Sequence, residues 1–104
     1  MKLRFAALTV FVSFAAFAAD DVGAIWKRDC KSCHGEVGKA ETANGKKYKI
    51  EDMSSAAWQS EWTDEKIAKV VNEGIKDTKM KAFKGKLTDE EIASLTKHIR
   101  TFKK

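Results

Sequence analysis

Cys30-Lys31-Ser32-Cys33-His34 constrains this chain more than any other stretch, because it spells C-x-x-C-H. On a helix, positions i, i+3 and i+4 lie on neighbouring parts of one face, so two thiols and an imidazole share a single turn. That arrangement suits two thioether links to the vinyl groups of a c-type haem, with the imidazole offering a ring nitrogen to iron from the same side.

Duller readings compete with it. A lone C-x-x-C also serves as a redox dithiol, as half of a zinc site, or as a small disulfide. Zinc needs a tetrahedron of four ligands, and the available set is Cys30, Cys33, His34 and His98. Adjacent Cys33 and His34 suit that geometry poorly. A dithiol oxidoreductase motif sits near a βαβ pattern, and no such strand is legible. Haem c is the leading reading.

Residues 1–19 read as a secretory signal peptide. Lys2 and Arg4 supply the basic start, residues 5–17 are almost wholly apolar, and Ala16, Ala18 and Ala19 offer small-residue cleavage. The apolar run is shorter than the ~20 residues of a membrane helix. An exported chain meets an oxidising periplasm, where two free cysteines would pair or be modified. Thioether attachment uses both and leaves none over.

The remaining residues, 20–104, suffice for one domain without a membrane span. A domain this small often needs a staple, and a covalently held haem would be one. The chain without haem is therefore expected to be largely unfolded.

The chain has no proline. Asp20 and Asp21 open a first helix, favoured by acidic residues at its positive end. Val22, Ile25 and Trp26 share one side of it, and the cysteine motif comes directly after. Residues 35–49 are polar and glycine-bearing and read as loop. Residues 54–58 suggest a short helical turn. Thr63 reads as an N-cap, Ile67, Val70 and Val71 as a buried stripe, and Gly74 as a stop. The last helix is the best specified: Thr88 and Glu91 form a capping box, and Leu87 and Ile92 a hydrophobic staple. Ile92, Leu95, Ile99 and Phe102 give it an apolar face. Nothing reads as strand, so the expected class is all-α.

An iron held by His34 has a second axial position. Met53, Met80, His98 and a lysine are the candidates, although a methionine is more often core filler. Met80 is favoured on geometry, since it lies in a loop far enough along the chain to approach the opposite face. Met53 is close to His34 in sequence, and His98 sits in the last helix.

The stretches Cys30-Lys31-Ser32-Cys33-His34-Gly35 and Met80-Lys81-Ala82-Phe83-Lys84-Gly85-Lys86-Leu87-Thr88-Asp89-Glu90-Glu91-Ile92, with Ile99-Arg100-Thr101-Phe102, resemble a small bacterial class I cytochrome c. The resemblance covers essentially all of residues 20–104. It implies three to five helices wrapped around one haem c, bound covalently through Cys30 and Cys33 and ligated by His34 and Met80. Lys81 stands where the family usually has a proline, which would leave the Met80 loop less stiff. Without a proline-containing loop, another carbonyl of residues 35–49 must orient His34. The family's fold implies that Gly23 and Trp26 meet Leu95 and His98 where the first and last helices cross.

With both axial positions filled, the chemistry implied is one-electron transfer rather than catalysis: a periplasmic carrier between redox proteins. A haem c subunit permanently bound to a periplasmic dehydrogenase or oxidase is the first alternative. A gas-binding or peroxidatic haem protein with a labile distal ligand is the second. Trp58 is a candidate propionate donor, with Trp62 and Tyr48 behind it.

The net charge is +5, and losing Lys2 and Arg4 with the leader lowers it to +3. Lys31, Lys39, Lys46, Lys47 and Lys49 form one basic group, and Lys76, Lys79, Lys81, Lys84 and Lys86 another. Such groups would steer an acidic redox partner into transient contact with a monomer. The aromatic interleaving that nucleic acid requires is missing.

Overall fold

The computed structural model describes residues 21–103, so the expected leader lies outside the described residues. Among these there are helices and loops and no strand; one isolated bridge joins Lys84 to Leu87. The first helix, α1, is three abutting segments: Val22–Ile25, a π turn Trp26–Cys30, and Lys31–His34. Then come α2 (Ala43–Lys47), α3 (Ala56–Glu61), α4 (Asp64–Glu73) and α5 (Asp89–Arg100). None is long and apolar enough to cross a membrane.

The π turn departs from the regular helix expected of α1. Lys31 N–H donates to the Trp26 carbonyl, five residues back. A π turn admits an extra residue and rotates the next turn about the axis by about 100° relative to an α-helix. The cysteine motif therefore leaves α1 on a face that straight-helix spacing does not give.

All five helices start on side-chain caps, α1 on Asp21, which accepts the Gly23 amide at 3.4 Å. Thr42, Ser55, Thr63 and Thr88 each accept an N–H from the first turn. The Thr88–Glu91 capping box forms as expected, and Leu87 and Ile92 are both buried. Helix α2 corrects the reading of residues 35–49 as loop: Thr42 receives the Gly45 amide at 2.8 Å and starts a short helix. The expected turn over 54–58 begins later, because Ser55 is the cap and α3 runs on to Glu61. Gly74 ends α4 at φ 70° as expected, whereas Val70 is only half-buried beside Ile67 and Val71.

One apolar core gathers Ile25 and Trp26 of α1, Met53, Trp58, Ile67, Val71, Leu87, and Ile92, Leu95, Ile99 and Phe102 of the C-terminal region. Arg100 and Gln59 lace its edge. Buried Gln59 donates to the carbonyls of Met53 (2.7 Å) and Ile99 (3.0 Å). Arg100 donates to the Gln59 carbonyl and side-chain oxygen, to the Trp62 carbonyl, and to Asp64. A cation on the final carbonyls of α3 satisfies orphan acceptors where the helix dipole favours it.

Candidate haem-attachment site

The motif occupies the closing turn of α1, where a helix leaves its last carbonyls without intrahelical donors. Here each has a partner. Gly35 N–H donates to Lys31 at 2.9 Å and Ala40 N–H to His34 at 2.9 Å. Asn44 Nδ2 reaches the Ser32 carbonyl at 3.2 Å and Thr42 Oγ1 the Cys33 carbonyl at 2.8 Å. The Trp26 indole Nε1 donates to Gly35 at 2.9 Å. Gly45 makes this closure possible, since a Cβ there would stand 2.0 Å from the Ala40 carbonyl oxygen.

Both cysteines are free thiols and half-buried. Burial first, then the Asp29 carboxylate, pushes the Cys30 thiol up to about 12, against an opposing pull from Arg28. Redox dithiols instead need a lowered pKa and a ready thiolate, so this environment disfavours that reading. The zinc reading has no support either: no group of three or more His, Cys, Asp or Glu side chains converges among the described residues.

Burial holds the His34 imidazole below its ordinary pKa, so the ring is neutral and free to ligate. Its Nδ1 is buried and has no hydrogen-bond partner. The expectation that a carbonyl of residues 35–49 orients His34 is thus not met. The ring lies instead against Trp26, with centroids 6.1 Å apart.

Met80 lies in the loop between α4 and α5, half-buried against the same core that Cys30 borders. Backbone bonds hold this loop. Ile75 N–H donates to the Met80 carbonyl (2.9 Å), Phe83 N–H to Val71 (2.9 Å) and Lys84 N–H to Asn72 (3.1 Å). Thr78 Oγ1 donates to the Ile75 carbonyl at 2.8 Å and accepts the Met80 amide at 3.1 Å. The loop passes so close to Gly74 that a Cβ there would meet Ala82 N at 2.7 Å and the Met80 oxygen at 2.8 Å. These pins supply much of the stiffness expected to be missing at Lys81.

The other candidates divide. Met53 is buried core, its amide donating to Gly38 at 2.8 Å. His98 packs on Trp26 (5.4 Å) and edge-on to Phe102 (5.0 Å), as the expected helix crossing requires. Gly23 does not join that crossing: it is exposed, and a Cβ on it would meet only Asp21 within 4 Å. Trp58 is buried and stacks on Trp62 at 5.4 Å, and Tyr48 is exposed with the Lys47 ammonium 5.3 Å from its ring.

Sequence reading missed Thr42, Asn44, Thr78 and the Trp26 indole bond. Thr42 with Gly45 three residues on was a legible cap. The Trp26 bond depends on the π turn, which leaves no pattern in the sequence.

Two unpaired thiols, a neutral, half-buried imidazole with an orphaned nitrogen, and a thioether on the same apolar core are the donor types that a covalently bound haem takes. Cys30, Cys33, His34 and Met80 could hold it. Residues 17–99 match the family described as cytochrome c oxidase, cbb3-type, subunit III. The chain belongs to this family. It is a c-type cytochrome with the all-α fold of that group.

Among solved structures, the "KustC0563 c-type cytochrome" is 37% identical, with a TM-score of 0.75 over 81% of this chain and 99% of the other. A point mutant of that protein aligns at 36% identity and TM-score 0.72, covering 80% and 99%. A chain of the Kuenenia stuttgartiensis reducing HAO-like protein complex Kustc0457/Kustc0458 shares the fold at 21% identity and TM-score 0.65, over 82% of this cytochrome and 42% of that chain. No curated protein matches.

Proposed function

We propose that this cytochrome is a periplasmic one-electron carrier with a single haem c, joined through Cys30 and Cys33 and ligated by His34 and Met80. The haem supplies a one-electron ferrous–ferric couple. His34, neutral at working pH, offers nitrogen without first losing a proton. Met80 offers a soft sulfur that favours the ferrous state. With both positions taken by protein, no site is left for a substrate, so the protein is a carrier and not an enzyme. The observation that carries this reading is the placement of a fully capped C-x-x-C-H turn and a pinned Met80 loop against one apolar core.

Residues 1–19 are read as a cleaved export signal and residues 20–104 as the cytochrome domain. Lys76, Lys79, Lys81, Lys84 and Lys86 are all exposed around Met80, and Lys46, Lys47 and Lys49 beside α2. They fit an acidic docking surface on a redox protein. The large apolar residues exposed among the described ones are Val37, Tyr48 and Ile75, on three separate segments. That scatter supports a free carrier over a permanently bound subunit.

Visible spectra of the purified holoprotein and of Met80→Ala, with and without carbon monoxide, test the reading. Wild type should show a two-thioether haem c, a methionine–iron band when oxidised, and no carbon monoxide complex. Met80→Ala should lose the band and bind carbon monoxide. A variant indistinguishable from wild type would remove Met80 from the iron.

A further inference from the structure

His34 is half-buried, and its Nδ1 atom is buried and unpartnered. A ligating histidine usually has its ring fixed by a hydrogen bond from the second nitrogen. Something else must fix it here. The group best placed is Trp26, which belongs to the core and is 5% exposed.

Trp26 touches the motif from both ends. It opens the π turn that leads into Cys30. Its indole Nε1 donates to the carbonyl of Gly35, the residue directly after His34, at 2.9 Å. This bond closes a loop around all five residues of Cys30-Lys31-Ser32-Cys33-His34. The ring also faces the imidazole at 6.1 Å and 40°. Trp26 also packs on Phe102, edge-on at 4.9 Å, and on His98 at 5.4 Å. Its direct tie to the turn that presents His34 is the N–H bond to the Gly35 carbonyl.

We propose that Trp26 is a positioning residue for His34: its N–H clamp on the Gly35 carbonyl and its ring face set the imidazole plane, in place of a hydrogen bond at Nδ1. The inference rests on the haem-ligation reading of His34. It requires a tryptophan specifically, since phenylalanine keeps an aromatic ring but lacks the N–H donor.

The test is proton NMR of the oxidised holoprotein, where the spread of the four haem methyl resonances reports the orientation of the axial ligand planes. Trp26→Phe should redistribute those resonances and shift the reduction potential. Phe102→Leu keeps the donor and should lower thermal stability while leaving the methyl pattern essentially as in wild type. Should Trp26→Phe yield no holoprotein, benzothienylalanine at position 26, with sulfur replacing the N–H at nearly the same shape, must give the redistribution instead. A methyl pattern and potential unchanged by loss of the N–H would overturn the proposal. A redistribution as large in Phe102→Leu would also overturn it, by tracing the effect to packing alone. A wild-type protein without histidine-ligated haem would instead fail the parent reading, before any variant is compared.

Discussion

At the closing turn of α1, five consecutive carbonyls are satisfied, three of them by the side chains of Trp26, Thr42 and Asn44. The Met80 loop is held differently. Its main bonds are backbone to backbone, two of them onto the final turn of α4 and others within the loop, with Thr78 as the one side-chain contributor. Side-chain clamps depend on residue identity, whereas backbone pins depend on the chain path. The motif end should therefore be sensitive to substitutions at its donors. The Met80 end should tolerate most side-chain changes and fail where the path itself is blocked. The surroundings differ to match, since the motif's cysteines and His34 are half-buried while every lysine of the Met80 loop is exposed.

The largest effect should come from removing the attachment itself. Cys30→Ala with Cys33→Ala should give no covalent haem by pyridine haemochrome assay. The chain should also lose most of its helical circular dichroism, because a domain this small leans on the haem to complete its core. Native-like helix content in that variant would show the polypeptide core to be sufficient alone.

Next in size are the two glycines that permit the close approaches. Gly45→Ala drives a Cβ to 2.0 Å from the Ala40 oxygen. Gly74→Ala puts a Cβ 2.7 Å from Ala82 N at φ 70°. Each should cost about 2–3 kcal/mol in denaturant unfolding, from overpacking at one site and left-handed strain plus overpacking at the other. The spectra should separate them. Gly74→Ala should weaken the methionine–iron band, and Gly45→Ala should leave it intact in the folded fraction. The same loss of band in both would mean that the two ends are one cooperative unit.

These glycines also show what the sequence could disclose. Gly74 was legible as a helix stop, because a glycine following an apolar stripe is a local signal. Its second role, making room for the Met80 loop, is tertiary and left no trace. The caps at Thr63 and Thr88, the staple of Leu87 and Ile92, the core face of α5 and the cysteine motif were all readable, since each is set by spacing within a few residues. Helix α2, the Arg100–Gln59 lacing and the π turn were not read. Arg100 acts across 41 residues on Gln59, and a π turn has no compositional mark. Gly23 was misplaced because the resemblance, not local spacing, put it at the crossing: it is exposed, and Trp26 carries the ring contact to His98.

Thr42 sharpens the comparison on the motif side. Its hydroxyl accepts the Gly45 amide and donates to the Cys33 carbonyl, both at 2.8 Å, so one group starts α2 and finishes α1. Thr42→Val keeps the shape and removes both bonds, at about 1–2 kcal/mol for a lost cap with a carbonyl left short of a donor. Thermal unfolding followed at the haem absorbance should register this without loss of the methionine–iron band.

Thr78 is the matching test at the other end, with the smallest expected effect. It is exposed, so Thr78→Val should cost only about 0.5–1 kcal/mol. Water can replace the bonds it makes to the Ile75 carbonyl and the Met80 amide. Its consequence should instead be local. Thr78 is the side chain that fixes the Met80 amide directly, whereas the three backbone pins act at the Met80 carbonyl and at Phe83 and Lys84. Loosening it should let the methionine–iron band disappear at a lower temperature than global unfolding, where wild type loses both together. If band and fold still melt together in Thr78→Val, the backbone pins alone hold Met80, and the two ends of the haem site differ even more sharply in how they are held.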